Sequence, residues 1–334
     1  MVRSEDIHKI FMVIVGKIKL RRTIMESVVE INNLIKRYKE KLALNGLNLT
    51  LKKGTILGLI GPNGSGKTTA INCLLGLLNY DSGDIKVFGG ELKTNSYDKK
   101  RRIGVVPQDI VVFDKLTVRE NISYFCSLYV DDSKKIKTLT EEAMEFTDIK
   151  KYENYFPKKL SGGLKRRLNI ACGIAHKPDF LVLDEPTVAV DAESRSFILN
   201  QIKNLRDQGV SVIYTTHYME EVEEIADEIV IIKDGQNIAS GSLYDLLSMI
   251  DEKEKIRVDL GDKGELKNEF LKLENVKNVD FKDAIYEISF QNEENNMRKM
   301  IEYLDKNNLV YNHIYSEKPR LNQIYLELTG KELK

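Results

Sequence analysis

Gly61, Pro62, Asn63, Gly64, Ser65, Gly66, Lys67 and Thr68 follow one another, with Thr69 behind them. Glycine, four residues, then Gly-Lys-Thr is a spacing that suits a polyphosphate. The glycines let consecutive backbone N–H groups curl round the anion, and a helix beginning there aims its positive end at the same point. Lys67 brings a full charge for the β- and γ-phosphates, and the Thr68 hydroxyl is suited to Mg²⁺. The flanks agree. Thr55–Ile60 is an unbroken apolar run, the mark of a strand buried on both faces, and Thr68–Leu78 reads as a helix. The chain therefore reads as a binder of a nucleoside triphosphate.

Asp184 and Glu185 form the second constellation. They close the apolar run Phe180–Leu183 and precede Pro186. Ligands of open parallel sheets lie beyond the carboxyl ends of the strands, so both carboxylates are expected beside the phosphate loop. Asp184 is placed to hold Mg²⁺ directly or through water. Glu185, one residue on, is placed to polarise a water for attack on the γ-phosphate.

Between the two lies Leu160-Ser-Gly-Gly-Leu-Lys-Arg-Arg167. Here the sequence resembles the ATP-binding subunits of ABC transporters, over residues 28 to 247. Gln108 matches that family's Q-loop glutamine, which reaches Mg²⁺ or the attacking water. His217, within Thr215-Thr-His-Tyr218, matches the switch histidine at the γ-phosphate. Asp191 matches the D-loop aspartate, and Tyr38 the aromatic on which adenine stacks. Ser161, Gly162 and Gly163 open a helix with a capping serine and bare amides, a second anion site. In the family that site meets the γ-phosphate held by the opposite subunit, so two chains clamp two ATP molecules. Two positions depart from the pattern: Leu164 stands where glutamine is commonest, and Val190 where leucine is usual. Neither removes a charge.

The resemblance implies ATP and Mg²⁺ as cofactors, a second ATPase subunit, and a separate transmembrane permease that places the chain on the cytoplasmic face of a membrane. The signature and the tail Glu327–Leu333 look most like subunits serving ABC-2-type exporters of drugs, peptides, lipids, polysaccharides or ions. One rival is an importer subunit. Another is a soluble ABC ATPase acting on DNA or ribosomes, but such proteins usually carry two cassettes, long coiled coils or zinc-binding cysteines.

The elements that must position these residues follow from the remaining sequence. The 334 residues suit one large α/β domain and a smaller appendage. Net charge is zero, with 51 basic and 51 acidic residues, which disfavours a broadly basic nucleic-acid surface. Three scattered cysteines give neither a disulfide framework nor a zinc site. The apolar run Ile10–Val15 is far shorter than the roughly 20 residues of a membrane-spanning helix. Residues 1–24, apolar and basic, read either as a peripheral helix or as a stretch ahead of a start at Met25.

Over 25–247 the resemblance implies the P-loop NTPase fold of an ABC ATPase. It comprises a RecA-like parallel core, an antiparallel β subdomain, and a helical subdomain over about 109–175. A charged linker at Asp251–Lys255 leads to a C-terminal unit, 251–334, whose order β-α-β-β-α-β suggests a small ferredoxin-like α+β domain. It carries no catalytic-looking cluster, so regulation or partner contact is its expected role.

Overall fold

The structure, a computed structural model, describes residues 26–93, 95–250, 253–261, 264–291 and 295–329. The extension expected over 1–24 lies outside the described residues. Strands β1 (Ser27–Tyr38) and β2 (Lys41–Lys52) form an antiparallel pair. After β3 (Ile56–Ile60) and helix α1 (Lys67–Leu74), strand β4 (Ser82–Val87) joins the free edge of β1. This is the antiparallel subdomain, in the order β2-β1-β4. Helix α1 stops four residues before the expected Leu78. Gly76, at φ 69, turns the chain left-handed there, where glycine carries no Cβ penalty.

Helix α2 (Tyr97–Lys100) precedes β5 (Ile103–Val106), and three helices follow: α3 (Val118–Ser127), α4 (Ser133–Phe146) and α5 (Gly162–Ile174). Each starts on a side-chain cap, from Thr117, Asp132 and Ser161 respectively, which satisfies amides that the helix leaves open. Val118, Ile122, Met144 and Leu168 give this helical region its own core.

Beyond it come β6 (Phe180–Asp184), α6 (Ala192–Asp207), β7 (Ser211–Thr216), α7 (Met219–Ile225), β8 (Glu228–Lys233), β9 (Gln236–Gly241) and α8 (Leu243–Ser248). The main sheet runs β5-β6-β7-β3-β8-β9, parallel except for β9. Every residue of β3, β6 and β7 is buried, as the continuous apolar runs require of strands covered on both faces. Each fully buried Leu, Ile or Val there contributes about 1.5–3 kcal/mol. The carboxyl ends of β3, β6 and β7 lie side by side, and the candidate site occupies that edge.

The rest of the chain forms β10 (Glu254–Asp259), α9 (Lys267–Phe270), β11 (Val276–Lys282), β12 (Ile285–Phe290), α10 (Asn296–Lys306), β13 (His313–Glu317) and α11 (Leu321–Thr329). The four strands make an antiparallel sheet in the order β11-β12-β10-β13, cored by Ile256, Phe270, Tyr286 and Leu304. The first helix of the expected β-α-β-β-α-β order is a 3-10 turn followed by the single turn of α9. Helix α11 does not join this core. Its buried Leu321, Ile324 and Tyr325 belong to the cluster of Ile225, Leu246 and Ile250 under the main sheet.

Candidate active site

Glycine is required in the phosphate loop by close approach. A Cβ on Gly61 would lie 2.2 Å from the Ile232 carbonyl, and one on Gly66 would lie 2.7 Å from that of Ala43. Gly66 also sits at φ 111, just ahead of α1. Lys67 folds back over the loop, and its Nζ donates to the carbonyls of Gly61 at 2.8 Å and Pro62 at 3.3 Å. Burial pulls its ammonium below the ordinary lysine range, while Glu185 and Asp184 push the other way. Beside the loop is a cavity of about 390 Å³, lined among others by Tyr38, Lys41, Asn63, Gly64, Gly66, Lys67, Thr68, Thr69, Gln108 and Glu185. Tyr38, the last residue of β1, is 46% exposed at its rim.

The carboxylates close the other side. The Thr68 hydroxyl donates to Asp184 Oδ2 at 3.1 Å, and that of Thr215 donates to Oδ1. Glu185 has φ 48, a left-handed backbone costly for a residue with a Cβ. Its amide donates at 3.1 Å to both the carbonyl and the hydroxyl of Thr215, which holds that bend. The side chain then meets three groups from three other elements. Oε1 stands 3.6 Å from Lys67 Nζ, Oε2 accepts from Gln108 Nε2 at 3.3 Å, and His217 Nδ1 lies 3.4 Å from Oε2. Glu185 is thus the node on which the loop lysine, the glutamine and the histidine converge.

Ser161, Gly162, Gly163 and Asp191 are not among the residues lining that cavity. They form a second cluster. Ser161 caps α5 by accepting from the Leu164 amide at 3.3 Å, and both Ser161 and Gly162 face solvent. Asp191 caps α6, accepting from the Ser194 amide at 2.8 Å and its hydroxyl at 2.9 Å; these bonds hold its carboxyl below the usual range. Gly163 packs directly on that cap.

Three further residues have roles that the sequence reading did not assign. Thr215 anchors the Asp184 carboxylate and the Glu185 backbone amide because the parallel register places it opposite Asp184. Arg166 and Asn169, on the inner face of α5, donate to the Pro107 carbonyl at 3.3 Å each. Arg166 also donates to the Gln108 carbonyl at 2.9 Å, so the signature helix grips the backbone that carries Gln108. Only the positions of these polar residues on a buried helix face hinted at it.

The donor set fits a magnesium ion. Mg²⁺ prefers oxygen ligands and takes one or two from protein, leaving the rest to phosphates and water. The Thr68 hydroxyl and the Asp184 carboxylate supply that pair, whereas no group of three or more His, Cys, Asp or Glu side chains suited to a metal occurs among the described residues.

A phosphate loop between a buried parallel strand and a helix, faced by two carboxylates at the end of β6, one strand beyond the adjacent β7, defines a P-loop nucleoside triphosphatase. The family model described as ABC transporter matches residues 44–188. The linearmycin resistance ATP-binding protein LnrL of Bacillus subtilis (strain 168) is 34% identical over 92% of this chain and 100% of its own length. Nod factor export ATP-binding protein I of Burkholderia orbicola (strain AU 1054) is 36% identical over 66% of this chain and 72% of its own. Among solved structures, cbiO1 of Clostridium perfringens, part of the ABC transporter complex cbiONQ, aligns with TM-score 0.62 at 25% identity, covering 67% of this chain and 91% of that one. The dimeric cassette MJ0796, in a post-hydrolysis state with ADP and Pi, aligns with TM-score 0.59 at 26% identity, covering 64% and 98%. The chain belongs to the ABC transporter family, as an ATP-binding subunit with ATPase activity that powers a separate permease.

Proposed function

We propose that this chain drives export, pairing head to tail with a second ATPase subunit so that each ATP is held by the phosphate loop of one and the signature turn of the other. The observation that carries this reading is the separation of the two anion sites: Ser161 and Gly162 face solvent, outside the cavity of their own Lys67. The relatives named for linearmycin resistance and Nod factor export support the outward direction. The working place is then the cytoplasmic face of a membrane, through the permease. No described helix is long and apolar enough to cross one.

In this reading Tyr38 stacks on the adenine, while Lys67 and the loop amides from Asn63 to Thr69 grip the phosphates. Thr68 and Asp184 hold Mg²⁺, which supplies charge neutralisation between the phosphates when bound. Glu185 takes the proton of the attacking water, held in place by Gln108 and His217. Hydrolysis removes the charge that bridges Lys67 and the opposite Ser161, and the dimer reopens. Positioning and electrostatics carry the rate. The C-terminal unit, with its β-α-β-β-α-β order, acts as a ferredoxin-like accessory domain for regulation or partner contact.

The test is intermolecular cross-linking. The native cysteines are buried, so Asn63→Cys and Ser161→Cys on separate copies give a clean pair. A disulfide between them that forms with ATP and not with ADP supports the clamp; its absence under both conditions removes it. The membrane protein that co-purifies with the full chain identifies the permease, and ATP-driven loading of inverted vesicles establishes export.

A further inference from the structure

Helix α7 carries a carboxylate that the chemistry above leaves unused. Glu221 is 2% exposed. Its Oε2 accepts from the Tyr214 hydroxyl and the Thr216 hydroxyl, each at 2.8 Å. Its Oε1 stands 3.4 Å from Arg195 Nε on α6. Alternation along β7 creates the arrangement. Tyr214 and Thr216 share the face turned toward α7, while Thr215 between them points to Asp184 and Glu185.

Thr216 is the relay. Its single O–H is committed to Glu221, so its lone pairs are free to accept, and they take the Tyr218 amide at 3.0 Å. That bond closes the turn in which His217 sits. On the far side, the Arg195 guanidinium lies 5.0 Å from the Tyr218 ring centroid, and the Arg195 amide donates to the Asp191 carbonyl at 2.9 Å. One buried carboxylate therefore touches both the turn of His217 and the helix capped by Asp191. Met219, Val222 and Ile225 already anchor α7 to the sheet. Burying a polar side chain is costly, and an apolar one would pack the helix without that cost. The carboxylate is placed for geometry.

We propose that Glu221 is a positioning residue for ATP hydrolysis: through Thr216 it holds His217 against Glu185, and through Arg195 it ties that turn to the Asp191 helix. The inference rests on the reading in which His217 serves the γ-phosphate.

The experiment compares ATP turnover and nucleotide affinity in the full-length protein. Thr216→Val removes the hydroxyl at nearly constant volume, and Thr216→Ser keeps it. Thr216→Val is expected to lower kcat by about 10–100-fold, the scale of a small misplacement at the reacting centre, with KM and ATP affinity nearly unchanged. Thr216→Ser is expected to restore turnover. Glu221→Gln still accepts both hydroxyl bonds but loses the charge facing Arg195, and is expected to fall less than Thr216→Val, whereas Glu221→Leu falls at least as far as Thr216→Val and the double variant falls no further than Glu221→Leu. Wild-type turnover by Thr216→Val while His217→Ala is inactive overturns this inference alone. An active His217→Ala overturns the role of His217 itself. Affinity falling in step with kcat, or no rescue by serine, means a merely structural contact and equally overturns the proposal.

Discussion

Lys67 faces Glu185 across the floor of the cavity, Nζ to Oε1 at 3.6 Å, with both side chains buried. The two charges are coupled, and either substitution alters the other. Glu185→Gln keeps the shape and removes the base, so turnover is expected to fall by a factor on the order of 100 or more. ATP affinity holds or rises, because Lys67 no longer shares its charge. Lys67→Ala leaves Glu185 buried without the ammonium 3.6 Å away and removes the loop's charge for the phosphates, and it is expected to weaken ATP binding by about 2–3 kcal/mol, the scale of a hydrogen bond to a charged group. Calorimetric titration separates the outcomes: tight ATP binding by Lys67→Ala contradicts the assignment of Lys67, and rapid turnover by Glu185→Gln contradicts that of Glu185.

Gly163 transmits between the signature and the D-loop by contact. A Cβ there would lie 2.2 Å from the Ser194 hydroxyl and 2.9 Å from its Cβ. Gly163→Ala must push α5 off the first turn of α6, with a stability loss of about 1–3 kcal/mol for the overpacking. Because α5 also grips the Gln108 backbone, turnover falls as well. Adding Ser194→Gly removes both clashing atoms and is expected to restore folding and most activity. A Gly163→Ala protein with unchanged melting temperature and turnover would show that the two turns are not in register.

The site's centre was legible in the sequence because one unbroken segment, Gly61–Thr68, carries its glycines, lysine and hydroxyl at a spacing that suits a polyphosphate, although the carbonyls that exclude a Cβ come from Ile232 and Ala43, far along the chain. Gly61 and Gly66 are dictated by carbonyls closer than a Cβ allows, and Asp184 by its place at a strand end. Thr215 was not legible, since its role depends on the register between β6 and β7, strands separated by the whole of α6. Arg166 and Asn169 escaped for a similar reason. Their spacing tells that they share a helix face with buried neighbours but not that a loop some 60 residues earlier supplies the carbonyls. The C-terminal strands pair in the order β11-β12-β10-β13, which the sequence reading did not state, and the last helix packs on the main domain because its apolar residues meet Ile225, Leu246 and Ile250.

Helix α11 makes its own prediction. Leu321, Ile324 and Tyr325 are buried against α7 and α8, and the Leu321 amide donates to Glu223 Oε1 at 2.6 Å. Burial holds the Glu223 carboxyl above the usual range against the pull of that bond and of Arg320. Three such side chains contribute about 5 kcal/mol. Truncation after Arg320 is therefore expected to lower the melting temperature markedly and to slow hydrolysis, because α7 follows His217 directly. Replacing only 254–317 with a flexible linker is expected to spare both. If the two deletions behave alike in thermal melts, α11 is not part of the ATPase core.

His176 offers a pH test away from the nucleotide. Its ring stacks on Tyr129 at 3.9 Å, Nε2 lies 3.1 Å from the Ile103 carbonyl, and Nδ1 is buried with no hydrogen-bond partner among the described residues. Burial pulls its pKa down to about 4, against the partial opposition of the Ile103 bond. Between that value and the ordinary 6.5 or so, the unfolded chain binds a proton that the folded one refuses. Stability contributed by the neutral ring is present above pH 6.5 and is lost as pH falls toward 4, by up to about 3 kcal/mol. His176→Phe preserves the stack without a titrating group. At pH 7 it should lose about 1 kcal/mol for the missing bond to Ile103. In denaturant titrations from pH 7 to pH 4.5, its stability should decline less steeply than that of the wild type. Parallel declines would show that His176 takes up its proton as freely in the folded protein as in the unfolded one.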